Sequence, residues 1–219
     1  MNFTSNNLPS IDELKNSGNF KLIKTIKHDQ IIEFVLENIS KWNLLTAVFV
    51  FMHFFIAAGY VADLIIHWEK FGVLRIILSF LTAMLAFFPV IFIHEWIHLV
   101  SMRYYGAQIT HMKIVPNKLM VYAYADHFVS RKTDYIAIAL GPFIVLNIIF
   151  ILSLFSLPPF LRLTMWIILF LHANGCAGDI AIVNFLLKFK NQQVYSFDDH
   201  ELKESYFFTC IAENNHRNI

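Results

Sequence analysis

Charged residues are scarce in this chain. Of its 219 residues only 15% are Asp, Glu, Lys or Arg, against about 25% in an ordinary soluble domain. That shortage weighs against a soluble enzyme and against a disordered tail, both of which present a charged, solvated surface. Cysteine is nearly absent. Cys176 and Cys210 are the only two, too few for a disulfide framework and without a CxxC metal pair. Glycine and proline number 7 and 6, and there is no internal repeat or low-complexity tract. The charges almost cancel at a formal +1, so no basic bias invites nucleic acid.

Hydrophobic residues fill the space that charge leaves, at 57% of the chain with 23 Phe among them. They gather in long runs. Positions 76–93 and 136–157 hold no Asp, Glu, Lys, Arg or His, 43–62 hold only His53, and 163–187 only His172 and Asp179. A helix needs about 20 residues to cross a hydrocarbon core about 30 Å thick. The runs therefore predict four spans, at 43–66, 73–104, 134–157 and 161–188. The second and fourth exceed the core thickness and must tilt or bend, with Pro89 in one and Gly175 and Gly178 in the other as bend points. The expected fold class is an all-α polytopic membrane protein. Its parts are an N-terminal segment 1–42, a four-helix core 43–188 and a C-terminal tail 189–219. The polar start makes the first span an anchor rather than a cleavable signal.

Basic residues orient the spans. Lys15, Lys21, Lys24, Lys27 and Lys41 precede the first, and Arg103, Lys113, Lys118, Arg131 and Lys132 separate the second from the third. Lys188, Lys190, Lys203 and Arg217 follow the fourth. That places 14 on one side, against Lys70, Arg75 and Arg162 on the other. The positive-inside rule then puts both termini and the 105–133 segment in the cytoplasm of a multi-pass cell-membrane protein.

Outside the spans, positions 29–42 carry apolar residues at helical spacing, with Asp29 placed to cap the start. This amphipathic helix either lies on the anionic inner leaflet beside Lys21, Lys24 and Lys27 or packs on the bundle. Positions 109–115 and 119–125 flank Pro116-Asn117-Lys118. The β-branched and aromatic residues around that turn signal predict a short cytoplasmic β-hairpin between spans two and three.

The residues that carry chemistry are His94-Glu95-Trp96-Ile97-His98. Side chains four apart on a helix lie one turn above each other, so both imidazoles can reach one ion at about 2.0–2.1 Å. Glu95 stands beside that ion without having to ligate it, where a general base for an activated water belongs. Polar groups at the end of an apolar helix are costly unless paired or metal-bound. A catalytic zinc needs a third protein ligand and an open position. Asp179 is preferred, because the fourth span runs in the same direction and brings it to a similar depth, where a lone carboxylate would be expensive. His172, two turns nearer the bilayer centre, is the rival. Asp63 and His67 sit at the opposite end as an interfacial anchor with Trp68. Asp126 is a further candidate; His53 reads as a core histidine bonded to a neighbouring helix, and His111 and His127 as solvated loop residues. Asn174 either donates to a developing oxyanion or bonds to an adjacent helix. Cys176 reads as a small packing residue.

His94-Glu95-x-x-His98 on one membrane helix, with Asn174, Gly175 and Asp179 on a later one, resembles the site-2 protease class of intramembrane zinc metalloproteases. More closely it resembles a family of bacterial membrane proteins classed as zincin peptidases. Ala139-Leu140-Gly141-Pro142 followed by Asn147 is similar to a Gly-Pro…Asn stretch on the middle core helix of site-2 proteases. The likeness covers about 73–188 and includes the order metal helix, hairpin-bearing loop, middle helix, aspartate helix. It departs at Ala177-Gly178-Asp179-Ile180, where those proteases carry Leu-Asp-Gly after a proline-bearing segment. What the resemblance implies is a zinc metallopeptidase that cuts a membrane-protein or peptide substrate within the lipid bilayer. Two other classes use the same residues: a membrane metal transporter or sensor, and a catalytically inactive membrane partner protein. Clustering of the polar groups at one depth, rather than along a pathway, weighs against transport.

Overall fold

A computed structural model describes residues 8–27, 29–115 and 120–211. Two short elements lead the chain: helix α1 (Ile11–Asn16), started by a Ser10/Glu13 capping box, and strand β1 (Phe20–Lys27). Helix α2 (Ile31–Ile39) follows, then α3 (Leu44–Ile66) and α4 (Trp68–Tyr104). Strands β2 (Thr110–Val115), β3 (Met120–Ala125) and β4 (Ser130–Arg131) lead into α5 (Lys132–Leu154). Helices α6 (Pro159–Gly175) and α7 (Ala177–Leu187) and strands β5 (Val194–Asp199) and β6 (Glu204–Cys210) complete the chain.

Helices α3, α4 and α5 are long and apolar enough to cross a membrane, and a fourth span exists if α6 and α7 are taken as one, bent by 41°. The fourth predicted span is built as two helices that break at Cys176, between the Gly175 and Gly178 expected as bend points. In α4 the non-helical backbone is at Gly72, with φ +58°, where a residue lacking Cβ carries no steric penalty. Pro89 lies inside α4 without such angles. Phe51, Phe54 and Leu85 are more than two-thirds exposed, apolar surface that lipid accepts and water does not. Helix α6 packs on α3, α4 and α5, and α4 on α5.

The expectation of an all-α fold is corrected as well, because the chain builds two antiparallel sheets. The expected hairpin is one of them, β2 with β3, in register from Thr110↔Ala125 to Val115↔Met120. Its predicted turn at 116–118 falls outside the described residues. The second sheet has the order β1-β6-β5-β4, joining both terminal segments at the end of the bundle where α5 begins. One face of it packs Ile26, Val194 and Phe207 against Phe34 of α2 and Phe185 and Leu186 of α7. The other face carries Phe20, Tyr195, Phe197 and Phe208 under Leu14 of α1. Apolar residues on both faces are the pattern of a strand covered on two sides.

Helix α2 packs on the bundle. Its N-cap is Gln30, which makes no side-chain cap bond, so Asp29 does not cap it as expected. Asn184 of α7 locks it in place. The Asn184 amide donates to the Asn38 carbonyl at 3.1 Å and to Thr46 Oγ1 at 2.9 Å, and its oxygen accepts from Asn43 Nδ2 at 2.8 Å.

Candidate metal centre

His94 and His98 sit one turn apart on α4 and are both buried. Their Nε2 atoms are 3.1 Å apart. Asp179, in the first turn of α7, reaches them from across the bundle. Its Oδ2 lies 3.3 Å from His94 Nε2 and its Oδ1 3.5 Å from His98 Nε2. The break at Cys176 starts a new helix just before Asp179, and the first turn of a helix is where a carboxylate is electrostatically favoured.

Proline sets the orientation of His98. In a helix the carbonyl of residue i accepts from the N–H of i+4. The partner of Ile138 in α5 would be Pro142, which has no N–H. The orphaned Ile138 carbonyl instead accepts from His98 Nδ1 at 3.0 Å. That bond places the proton on Nδ1 and leaves Nε2 with a free lone pair, the outer-shell arrangement metal-binding imidazoles ordinarily use. His94 is held differently, with its Nδ1 3.2 Å from His172 Nε2. His172 therefore faces the opposite nitrogen of His94 from the one that Asp179 approaches.

Glu95 points into the hairpin. Its Oε2 accepts from the Ala123 N–H of β3 at 2.7 Å, so the edge of β3 turned away from β2 faces α4. A cavity of about 200 Å³ opens there, lined by Glu95, His98, Asp179, Tyr122, Ala123 and Phe197. Burial and the neighbouring Tyr124 push the Tyr122 phenol above its ordinary value.

The other expected residues lie elsewhere. Asn174 is exposed and donates to the Phe170 carbonyl of its own helix at 2.8 Å; it is not brought to the His94–Asp179 group. His53 bonds to the Phe49 carbonyl of its own helix, at 2.8 Å, and meets Phe49 and Phe170 edge to face. Asp63 pairs with Arg162 at 2.8 Å and accepts from Trp166 Nε1 at 2.7 Å, with His67 beside it. His111 and Asp126 form a partly exposed pair on the hairpin at 3.1 Å. Three contributors were not read from the sequence: the Ile138 carbonyl, the Ala123 N–H and Phe197. Only the first had a signal, a proline inside a helix four residues on.

Two buried imidazoles and a half-buried carboxylate form a metal-type donor set at one end of helices long and apolar enough to cross a membrane. These residues fit zinc, since three N and O ligands are what a catalytic zinc keeps beside an open position. Residues 87–194 match the model of a family described as putative zincin peptidase. The match runs from the middle of α4 to the start of β5 and contains His94, Glu95, His98, His172, Cys176 and Asp179. It points to a metallopeptidase and to zinc. No curated protein and no solved structure matches the chain.

Proposed function

We propose that this chain is an intramembrane zinc metalloprotease that hydrolyses a peptide bond in or near a partner's transmembrane segment. The observation that carries the reading is the convergence of His94 Nε2, His98 Nε2 and the Asp179 carboxylate, whose Oδ2 lies 3.3 Å from the first and Oδ1 3.5 Å from the second, with Glu95 beside them on the wall of a cavity. In this reading His94, His98 and Asp179 hold the zinc. Zinc bound there supplies Lewis acidity toward water and toward the scissile carbonyl.

Glu95 is the general base. One carboxylate oxygen is tied to Ala123, which fixes the group's orientation and leaves Oε1 to take a proton from the attacking water. Glu95 then passes that proton to the leaving amine. A helical substrate hides its carbonyls and must unwind before it can be cut. The outer edge of β3, apart from the Ala123 N–H that Glu95 holds, can accept the unwound segment as an added strand, and irregular backbone is tolerated at membrane depth where it lines a polar cavity. The similarity of helix order to site-2 proteases supports the same reading. In this reading the basic-residue bias puts the site and both termini on the cytoplasmic side.

The test is Glu95→Gln in liposomes that carry single-span reporter peptides with a helix-weakening residue. Cleavage should fall by about 10²–10⁴-fold, while zinc content stays at the wild-type level. Undiminished turnover in that variant would refute the assignment.

A further inference from the structure

The His94 imidazole has two nitrogens, and they face two different groups of side chains. Nε2 is turned to His98 and Asp179. Nδ1 lies 3.2 Å from His172 Nε2 and 3.9 Å from Cys176 Sγ, and those two atoms are 3.6 Å apart. We propose that His94 Nδ1, His172 Nε2 and Cys176 Sγ form a second cation site, for a thiophilic ion of the Zn2+, Cd2+ or Co2+ class, joined to the first through the shared ring.

Geometry is the first argument. With metal–nitrogen bonds of about 2.0–2.1 Å and metal–sulfur bonds of about 2.3 Å, tetrahedral donors stand about 3.3–3.6 Å apart. The three observed separations fall close to that range. A hydrogen bond between His94 and His172 accounts for the shortest of them, and the thiol lies within 4 Å of both nitrogens.

Local structure holds the donors in place. Cys176 N–H still donates to the His172 carbonyl at 3.1 Å, so the helical turn persists up to the break and stacks positions 172 and 176 on one face. Both side chains are buried, His172 at 2% and Cys176 at 0% exposure. Nδ1 of His172 has no partner among the described residues, so every polar contact the ring makes is inside this cluster. A cavity of about 200 Å³ borders His94 and His172, with Phe87, Ile91 and Gly175 on its wall.

Chemistry separates the two sites. The outer one offers two nitrogens and an oxygen; the inner one offers two nitrogens and a sulfur, which selects softer ions. Loading the inner site releases the Cys176 thiol proton to solvent, and filling both sites releases the His94 ring proton as well. Sulfur ligation at 176 is independent of whether the chain cuts peptides.

Titrating the metal-free, full-length protein in detergent micelles with Co2+ tests the site. The expected result is a thiolate-to-cobalt charge-transfer band in the near ultraviolet and a second bound equivalent of cobalt. Cys176→Ser should abolish the band and that equivalent, yet keep the visible d–d absorption of the first ion. His172→Ala should weaken the band-forming equivalent at least about tenfold. Asp179→Ala should leave the band in place while removing the other equivalent. No band at saturating Co2+ would overturn the proposal. So would a band that survives Cys176→Ser, which would belong to Cys210, or one that disappears with Asp179→Ala, which would place the thiolate on the first ion.

Discussion

Helices α3 and α6 approach each other closely at Gly59. A Cβ built on Gly59 stands within 3.0 Å of Trp166 Cη2, Cζ2 and Cζ3, so Gly59→Ala requires the indole to move. It is poorly placed to do so. Trp166 is 7% exposed, its Nε1 donates to Asp63 Oδ2 at 2.7 Å, and its ring meets Phe55 edge-on at 5.6 Å. Overpacking of this kind costs about 1–3 kcal/mol. Tearing Nε1 from a carboxylate adds about 1.5–3 kcal/mol, and alanine returns about 0.5–1 kcal/mol of helix propensity. The expected loss is about 2–5 kcal/mol. The three crowded atoms belong to the outer ring of the indole, which phenylalanine lacks. In a Trp166→Phe background Gly59→Ala should therefore be neutral or slightly stabilising. Equilibrium unfolding of the four proteins of this cycle in mixed micelles measures the coupling, expected at about 2 kcal/mol or more. Additivity within about 0.5 kcal/mol would show that the ring swings aside freely, and the packing argument would be wrong.

Two further substitutions test the scaffold of the site. Pro142→Ala supplies the N–H that Ile138 lacks, so the carbonyl is shared and its hold on His98 Nδ1 weakens; zinc affinity, measured by competition with a chelating dye, should drop about 10–100-fold with thermal stability unchanged or raised. Asn184→Ala strands the partners on α2 and α3 that its amide joins, at about 1–3 kcal/mol for each buried group left unpaired. Its midpoint of unfolding in detergent should fall clearly, and an unchanged midpoint would mean that water replaces the amide.

Much of this organisation was legible from the residues. Spans 43–66 and 134–157 needed only a count of apolar positions, because a bilayer demands length and hydrophobicity and nothing more specific. The hairpin showed itself through β-branched and aromatic runs on either side of a turn signal. The four-stranded sheet went unread for a different reason. Its strands lie at 20–27, 130–131, 194–199 and 204–210, and Val194–Asp199 and Glu204–Cys210 are too short and too mixed to announce a sheet. The Phe20–Lys27 strand carries three lysines, which draws attention to a membrane surface rather than to a ladder. A strand is stabilised by its neighbours, and these neighbours come from opposite ends of the chain.

The same division runs through the site. A period of 3.6 residues per turn puts His94 and His98 on one face, and their cost inside an apolar helix marks them as chemistry. The meeting with Asp179 is a tertiary fact, since it needs α7 to restart at Cys176 with a new direction, and no local signal specifies a bend angle. Depth counted along ideal helices left His172 and Asp179 as rivals for one ion. The folded chain sets them on opposite nitrogens of a single imidazole, a distinction that depends on how a ring is rotated and on which helices press against it. Residue order and spacing could decide which groups share a turn; only packing could decide which way each ring nitrogen points.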